Sequence, residues 1–425
     1  MRPTIVLKRL LSLPGAVITG YDWTDSGVIV DVRRPSRLKR RCPCGWSTRS
    51  VYDHRPRRWR HLDACGWKVW IRYDIARLDC PQCERVRTEE VPWARPDARL
   101  TRDVEDEIAW LAQQMSKKRV AELMRCAWET VDAVVTRVVA EHRGRSHDRL
   151  NGLRRIGVDE ISYRRGHAYL TIIADHDTGR VVWVAEDRTQ QAVQSFFAAL
   201  GTRRAARLQS ISCDASSVYL PVLRLLAPAA RLCLDPFHVV KWCNEAMDLH
   251  YKSVPPLSPQ QREKVSTEIY QRCVGLSPTR TWSAVRAALR RGAENLKEHQ
   301  HALLGVIRRH DRRVFRAWQL KEELRELYAH VAPSDARAYL TKWVRRCRRS
   351  RIPEMVLLGR RIDRHFEAVV AAVEEQVSNS RLEGINSKIR VIQRRGYGHP
   401  KPASLIAMIY LCLSGISVPL PTRGR

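Results

Sequence analysis

Asp159, Asp214, Asp235 and Glu383 stand where packing alone does not explain a carboxylate. In "RRIGVDEISY", Ile156 and Val158 alternate along a β-type run and Asp159 follows them. A strand that buries one face has no place for an unpaired charge, so Asp159 needs a cation or a structural partner. "LQSISCD" ends at Asp214, and "ARLCLD" ends at Asp235, followed by Pro236 and His238. In α/β sheets, sites are built at the carboxyl ends of strands. Glu383 lies in "SNSRLEGINSKIRVIQRRGYGHP" among Arg381, Lys388, Arg390, Arg394 and Arg395. At helical spacing Asn379, Glu383, Asn386 and Arg390 share one face, and Leu382, Ile385, Ile389 and Ile392 share another. This reads as an amphipathic helix that lays its apolar stripe on a sheet and presents one acid braced by two amides. A merely solvated face in so basic a stretch would more often carry several acids paired with Lys or Arg.

Two aspartates and a distant glutamate meeting over a sheet can hold two hard divalent ions, Mg²⁺ or Mn²⁺. Such a pair activates an attacking hydroxyl and stabilises the leaving oxygen in phosphodiester chemistry. The cations around Glu383 would then hold the phosphate backbone while the carboxylate holds metal.

A second constellation is sulfur. Cys42 and Cys44 lie in "RRCPCGW", and Cys80 and Cys83 in "LDCPQCER". Two thiolate pairs on separate turns are the usual frame of a structural Zn²⁺ site. The first pair is C-x-C, one residue short of the common knuckle, and Cys65 is an alternative ligand. Four unrelated free thiols are the plainer reading. The runs "RPSRLKRRC" and "HRPRRWRH" favour a zinc-supported basic module.

The 425 residues exceed one simple core, and Lys and Arg number 76 against 45 acids, for a formal charge of +31. That field attracts polyanions, above all nucleic acid. No run approaches the ~20 apolar residues of a membrane span. The first residues make a poor signal peptide, so a cytoplasmic, reducing setting is expected, with the 12 cysteines free or metal-bound.

The elements that must position these groups follow from periodicity. Residues 1–95 read as β-rich. Thr101 precedes an acidic helical first turn in "TRDVEDEIAWLAQQM" and reads as its cap. "MSKKRVAELMRCAWETVDAVVTRVV" carries two short apolar stripes: Val120, Leu123 and Met124, then Val131, Val134 and Val138. The break at residues 125–128 has the length of a helix-turn-helix joint, whose second helix would enter a major groove. Two short amphipathic helices are common in any protein; the cysteine module and the charge favour the DNA-binding reading. From residue 154 come three strands, then a helix, strand, helix, strand and helix. This implies a mixed sheet with an antiparallel start and parallel later strands. Residues 251–375 read as long Arg-rich helices. Trp282, Trp318 and Trp343 there suit core packing better than base stacking.

The stretches "IGVDEISYRRGHAYLTIIADHDTGRVVWVAEDRT", "CDASSVYLPVLRLLAPAARLCLDPFHVVKWCNEAMD" and "SNSRLEGINSKIRVIQRRGYGH" resemble the DDE transposases of the ISL-three family of bacterial insertion sequences. The resemblance runs over nearly the whole chain. It implies a multidomain α/β protein with a ribonuclease H-like catalytic core and a helical insertion, preceded by a zinc-binding module and a helix-turn-helix domain. The expected divisions are a cysteine module over 1–95, the helix-turn-helix over 96–145, the core over 150–250, the insertion over 251–375 and the core's last part over 376–425. The family's three metal-binding acids fall on Asp159, Asp214 and Glu383. Asp235 and His238 match a block of supporting residues, and Asn379 and Asn386 flank the glutamate. The implied activity is Mg²⁺-dependent cleavage and strand transfer at terminal inverted repeats, by at least a homodimer, near the bacterial nucleoid. A catalytically inactive, domesticated copy acting as a DNA-binding regulator is the alternative. The presence of all three acids speaks against it.

Overall fold

The computed structural model describes residues 3–145, 147–164, 166, 168–215, 217–253, 260, 263–264, 267–268, 278–396, 399 and 401–420. Part of the expected helical region 251–375, and the side chain of Trp282, lie outside the described residues. Two compact units emerge, Met1–Ser146 with Val391–Arg425, and His147–Arg390. No helix among the described residues is long and apolar enough to cross a membrane.

The first unit opens with α1 (Pro3–Leu11), β1 (Val17–Thr24) and β2 (Gly27–Arg33). The short β3 (Arg40–Arg41) and β4 (Ser47–Thr48), the long hairpin β5 (Asp53–Ala64) and β6 (Trp67–Cys80), and β7 (Arg85–Thr88) follow. The main sheet runs β1-β2-β6-β5, with β7 on β6. Alternation along β6 puts Val69, Ile71, Tyr73 and Ile75 on one buried face, where they pack with Val30, Trp59 and Trp93. Trp93 meets Trp59 and Tyr73 edge-to-face, at 6.0 and 5.3 Å between ring centroids.

Three helices complete this unit's front half: α2 (Arg102–Gln114), α3 (Lys117–Leu123) and α4 (Trp128–Arg145). Thr101 sits at the N-cap of α2, but its hydroxyl makes no cap bond. It lies 2.9 Å from His61 Nδ1 instead, because both are buried and each needs a partner. α3 and α4 are joined through Arg125, whose φ of +50° turns the chain sharply. Val120, Val131, Val134 and Val138 are buried as expected, but Leu123 is exposed. The buried face of α3 is Lys117, Val120 and Ala121, so the last turn leaves the core. At the far end of the chain, α16 (Pro402–Leu413) packs on α4 and α2.

The second unit holds β8 (Arg155–Arg164), β9 (Ala168–Asp175), β10 (Val181–Glu186), β11 (Ser210–Cys213) and β12 (Arg231–Leu234). Their order is β10-β9-β8-β11-β12. β8 to β10 are antiparallel neighbours, whereas β11 lies parallel to β8 and to β12. The reason is connection length. Between β9 and β10 the chain turns at Asp177-Thr178-Gly179, where Gly179 has φ +69° and Thr178 Oγ1 donates to Asp175 at 2.6 Å. β11 and β12 are reached through helices, α5 (Gln190–Leu200) with α6 (Thr202–Ala205), then α7 (Tyr219–Leu226), which parallel pairing requires.

After β12 comes α8 (Pro236–Ser253) and then the helical block: α9 (Pro278–Arg290), α10 (Glu298–His310), α11 (Arg312–Ala329), α12 (Ala336–Arg349), α13 (Pro353–Arg364) and α14 (Phe366–Glu374). Among the described residues the block shares its core with the sheet. Its Leu303, Leu320, Trp343 and Ile362 belong to the same buried cluster as Val158, Ile211 and Leu234 of the sheet. α14 lies on β12, with Ala371 and Ala372 against Cys233. Trp343 is buried and donates to Leu320 O at 2.8 Å, and Trp318 packs against the core. Last comes α15 (Ser380–Arg395), the helix that carries Glu383.

Candidate active site and cysteine cluster

β8 outlasts its parallel neighbour. Pairing to β11 ends at Gly157↔Ser212, and β11 pairs β12 as far as Cys213↔Leu234. Two residues beyond Gly157 and Ser212 come Asp159 and Asp214, and one beyond Cys213 and Leu234 come Asp214 and Asp235. Register therefore sets Asp159, in the middle of β8, side by side with Asp214 and Asp235, which stand just past the carboxyl ends of β11 and β12, at a strand spacing of about 4.8 Å. This is why β8 tolerates an acid in its middle: past Gly157 its edge no longer faces a strand.

Each acid has a defined environment. Asp159 Oδ1 accepts from the Glu160 N–H and Oδ2 from Asn386 Nδ2, both at 2.8 Å. Burial pushes Asp159 up to about 6, with Asp214 and Asp235 adding to it and His238 opposing. Asp235 is buried and accepts from the Asn379 N–H at 3.1 Å, and burial raises its pKa as well. His238 Nε2 lies 4.0 Å from Asp235, and its ring meets Phe237 edge-to-face. Glu160, on the opposite face of β8, pairs with Arg188 at 2.8 Å. Burial and Asp214 push it up to about 7.

Leu382, Ile385, Ile389 and Ile392 of α15 are buried. Leu382 reaches the backbone of β8 at Gly157, where a Cβ would also come within 2.7 Å of His176 Nε2. A glycine in a strand permits this close approach. Glu383 is exposed in the first turn of α15, between Asn379 and Asn386 on the same stripe. Its own N–H donates to Asn379 O at 2.8 Å.

The two amides do not act as the sequence suggested. They bond the sheet rather than serving as a brace for Glu383: Asn386 holds Asp159, and Asn379 accepts from Ser212 Oγ of β11. Ser212 Oγ in turn lies 2.6 Å from His176 Nε2. Burial and Arg381 press His176 down to about 4, so the ring is neutral in this buried chain. Sequence reading missed Gly157, Glu160, His176 and Ser212; the glycine inside a strand and the second acid of "VDE" were their only signals.

Asp159, Asp214 and Asp235 are oxygen donors of the kind that hard divalent cations take, but among the described residues no three acids, with or without Glu383, bring their ligand atoms within 4.8 Å of one another. Asn386 Oδ1 is buried with no hydrogen-bond partner among the described residues.

The cysteines meet in the first unit. Cys42, Cys44, Cys80 and Cys83 offer sulfurs that all lie within 4.8 Å of one another, the one such cluster among the described residues. Cys42 and Cys83 are 3.8 Å apart, and Cys44 and Cys80 are 3.5 Å apart. Zn–S bonds of about 2.3 Å in a tetrahedron give S···S edges of about 3.8 Å, so the set suits zinc. The C-x-C spacing suffices because Gly45, at φ +98°, closes the turn between β3 and β4. The Trp46 N–H lowers Cys44 to about 7, whereas burial raises Cys42 to about 12. Cys65, the alternative ligand, is exposed in the β5–β6 turn and takes no part.

A family model described as a transposase matches residues 156–409. A second, for the helix-turn-helix domain of transposase family ISL3, matches residues 89–139 and so spans α2, α3 and most of α4. The chain is 38% identical over 417 residues to the transposase for insertion sequence element IS1557 of Mycobacterium tuberculosis, covering 95% of this chain and 93% of that one. It is 25% identical over 358 residues to the transposase for IS1001 of Bordetella parapertussis, covering 84% of each. With a catalytic-domain match over more than half its length, a matching DNA-binding domain and a relative alike from end to end, the chain belongs to the ISL3 family of insertion-sequence transposases.

Proposed function

We propose that this transposase cuts and joins DNA at a divalent-metal centre made by Asp159, Asp214 and Glu383 on a ribonuclease H-like sheet. The observation that carries this reading is the Asn386–Asp159 bond, which ties the helix bearing Glu383 to the strand bearing the first aspartate. The strand order, with three antiparallel strands followed by two parallel ones, supports it. Two bound Mg²⁺ or Mn²⁺ ions would supply an activated hydroxyl and stabilise the leaving oxygen of an in-line displacement.

The chain's own residues do the rest. Asp159, Asp214 and Glu383 hold the ions. Asn386 fixes the rotamer of Asp159, whose other oxygen accepts from the Glu160 N–H. Asp235, tied to the start of α15, keeps that helix over the strand ends, and His238 offsets part of the acids' charge. Exposed Lys388 and Arg390 on α15 lie ready for the DNA backbone, while Arg381 donates to His176 O. A Zn²⁺ ion on the four cysteines would hold the front module in shape. α4 would enter the major groove of the terminal inverted repeats. Two ends must be processed together, so the working form is at least a homodimer, acting in the bacterial cytoplasm at the nucleoid.

The test is strand cleavage on the element's own ends in Mg²⁺. Wild type should cut, and Glu383→Gln should bind the ends equally but cut at least about a hundredfold more slowly. A Glu383→Gln protein that cuts at the wild-type rate removes Glu383 from the site.

A further inference from the structure

The face of α8 that starts at the acids leads to a group of cations that form no ion pair among the described residues. His238, beside Asp235, and Trp242 are four residues apart on α8 and share a face, so Trp242 lies about 6 Å further along the helix. Arg361 of α13 lies over the Trp242 indole, its Cζ 3.7 Å from the ring centroid. The His365 ring is 5.9 Å from the same indole, and its Nδ1 is buried with no hydrogen-bond partner among the described residues.

We infer that Arg361, stacked on Trp242 and flanked by Arg224, Arg364 and His365, is a seat for phosphates of the DNA strand leading away from the catalytic acids. This rests on the proposed reading that those acids act on DNA.

The electrostatics agree with the geometry. Burial and then Arg224, Arg361 and Arg364 all drive His365 toward its neutral form. Arg361 is itself lowered by burial and by Arg364; Glu245 opposes this through space, without a hydrogen bond. Arg290, Arg325 and Arg337 move the other way, because each has a carboxylate partner. A half-buried guanidinium without such a partner costs free energy, and a phosphate diester offers it the paired oxygens that suit its planar fork.

Cations are welcome at helix C-termini, and that accounts singly for Arg224 in the last turn of α7 and for Arg361 and Arg364 in the last turn of α13. It does not account for cations from two helices converging on one imidazole. Trp242 is buried beneath Arg361, so no base can stack there, and the seat reads backbone rather than sequence.

The test uses the full chain and a duplex carrying the element's terminal sequence, in EDTA so that no strand is cut. Wild type, Arg361→Gln/Arg364→Gln and Arg361→Lys are compared for the slope of log Kd against log salt. The double variant should lose about two units of slope, at about 0.9 per phosphate contact, while Arg361→Lys keeps its slope. If the double variant does not fold, Arg364→Gln alone, on an exposed side chain, should lose about one unit. An unchanged slope in folded variants overturns the seat. A reduced slope in a protein that cuts no DNA leaves the seat standing and sinks the catalytic reading instead.

Discussion

Asp159 and Glu160 hold protons more tightly when folded than when unfolded, and that sets a test of the metal site. The folded values are about 6 and about 7, against ordinary values of 3.8 and 4.5. Raised carboxyl groups contribute stability that is complete below about pH 4 and is lost as pH rises through about 6 to 7. His176 and His399, each pressed down to about 4, have the opposite sign: their contribution is present above 6.5 and lost as pH falls. The raw profile is therefore blurred, and the difference between wild type and Asp159→Asn isolates the carboxylate. In EDTA the variant should gain melting temperature relative to wild type as pH rises from about 5 to about 7.5. Mg²⁺ should stabilise wild type most at the upper pH, where the carboxylates repel, and the variant less. An Mg²⁺ effect equal in both proteins, at both pH values, would argue that the ion binds elsewhere.

At the scale of elements, α15 sits on β8 only because residue 157 has no side chain. A Cβ there would run into Leu382 and lie 2.7 Å from His176 Nε2, with the Ser212 and Asn379 hydrogen bonds depending on the same contact. Gly157→Ala should cost about 1–3 kcal/mol of stability, measured by urea unfolding. It should also slow cleavage more than it weakens end binding, because α15 carries Glu383. An alanine variant as stable as wild type would mean that α15 moves freely over the sheet. The cysteine cluster is the other element-scale test. Purified protein should contain about one zinc per chain. A chelator should open residues 40–90 to proteolysis, as should Cys80→Ser, while the sheet of the second unit resists. Protein free of zinc would end that assignment.

For the whole molecule, the excess of 31 positive charges governs encounter with DNA. End binding should weaken steeply with salt, by about 0.9 in log K per log salt for each phosphate contacted. Light scattering should show two protomers with a pair of ends. A flat salt response would contradict the electrostatic account, and a strictly monomeric complex would contradict the paired-end account. The shared buried cluster of sheet and helical block has a consequence of its own: truncating the block should unfold the sheet rather than release it.

Periodicity, charge and motif spacing determined much of this protein. The mixed sheet with its antiparallel start, the helix-turn-helix joint, the two cysteine pairs and the apolar stripe of α15 are local patterns, and a local pattern survives reading in one dimension. The same residues carried the family. Partner choice did not survive that reading. Asn386 was legible as an amide on a polar stripe, but its bond to Asp159 spans 227 positions. Thr101 was legible as a cap, yet His61 claims its hydroxyl. Leu123 fits an apolar stripe that the first unit leaves in solvent. The side-by-side acids follow from strand register, and the missing Cβ at Gly157 gains meaning only once Leu382 is above it. In each case a buried polar or close-packed group takes whichever partner the tertiary fold brings near. Composition and spacing carry no information about which partner that is.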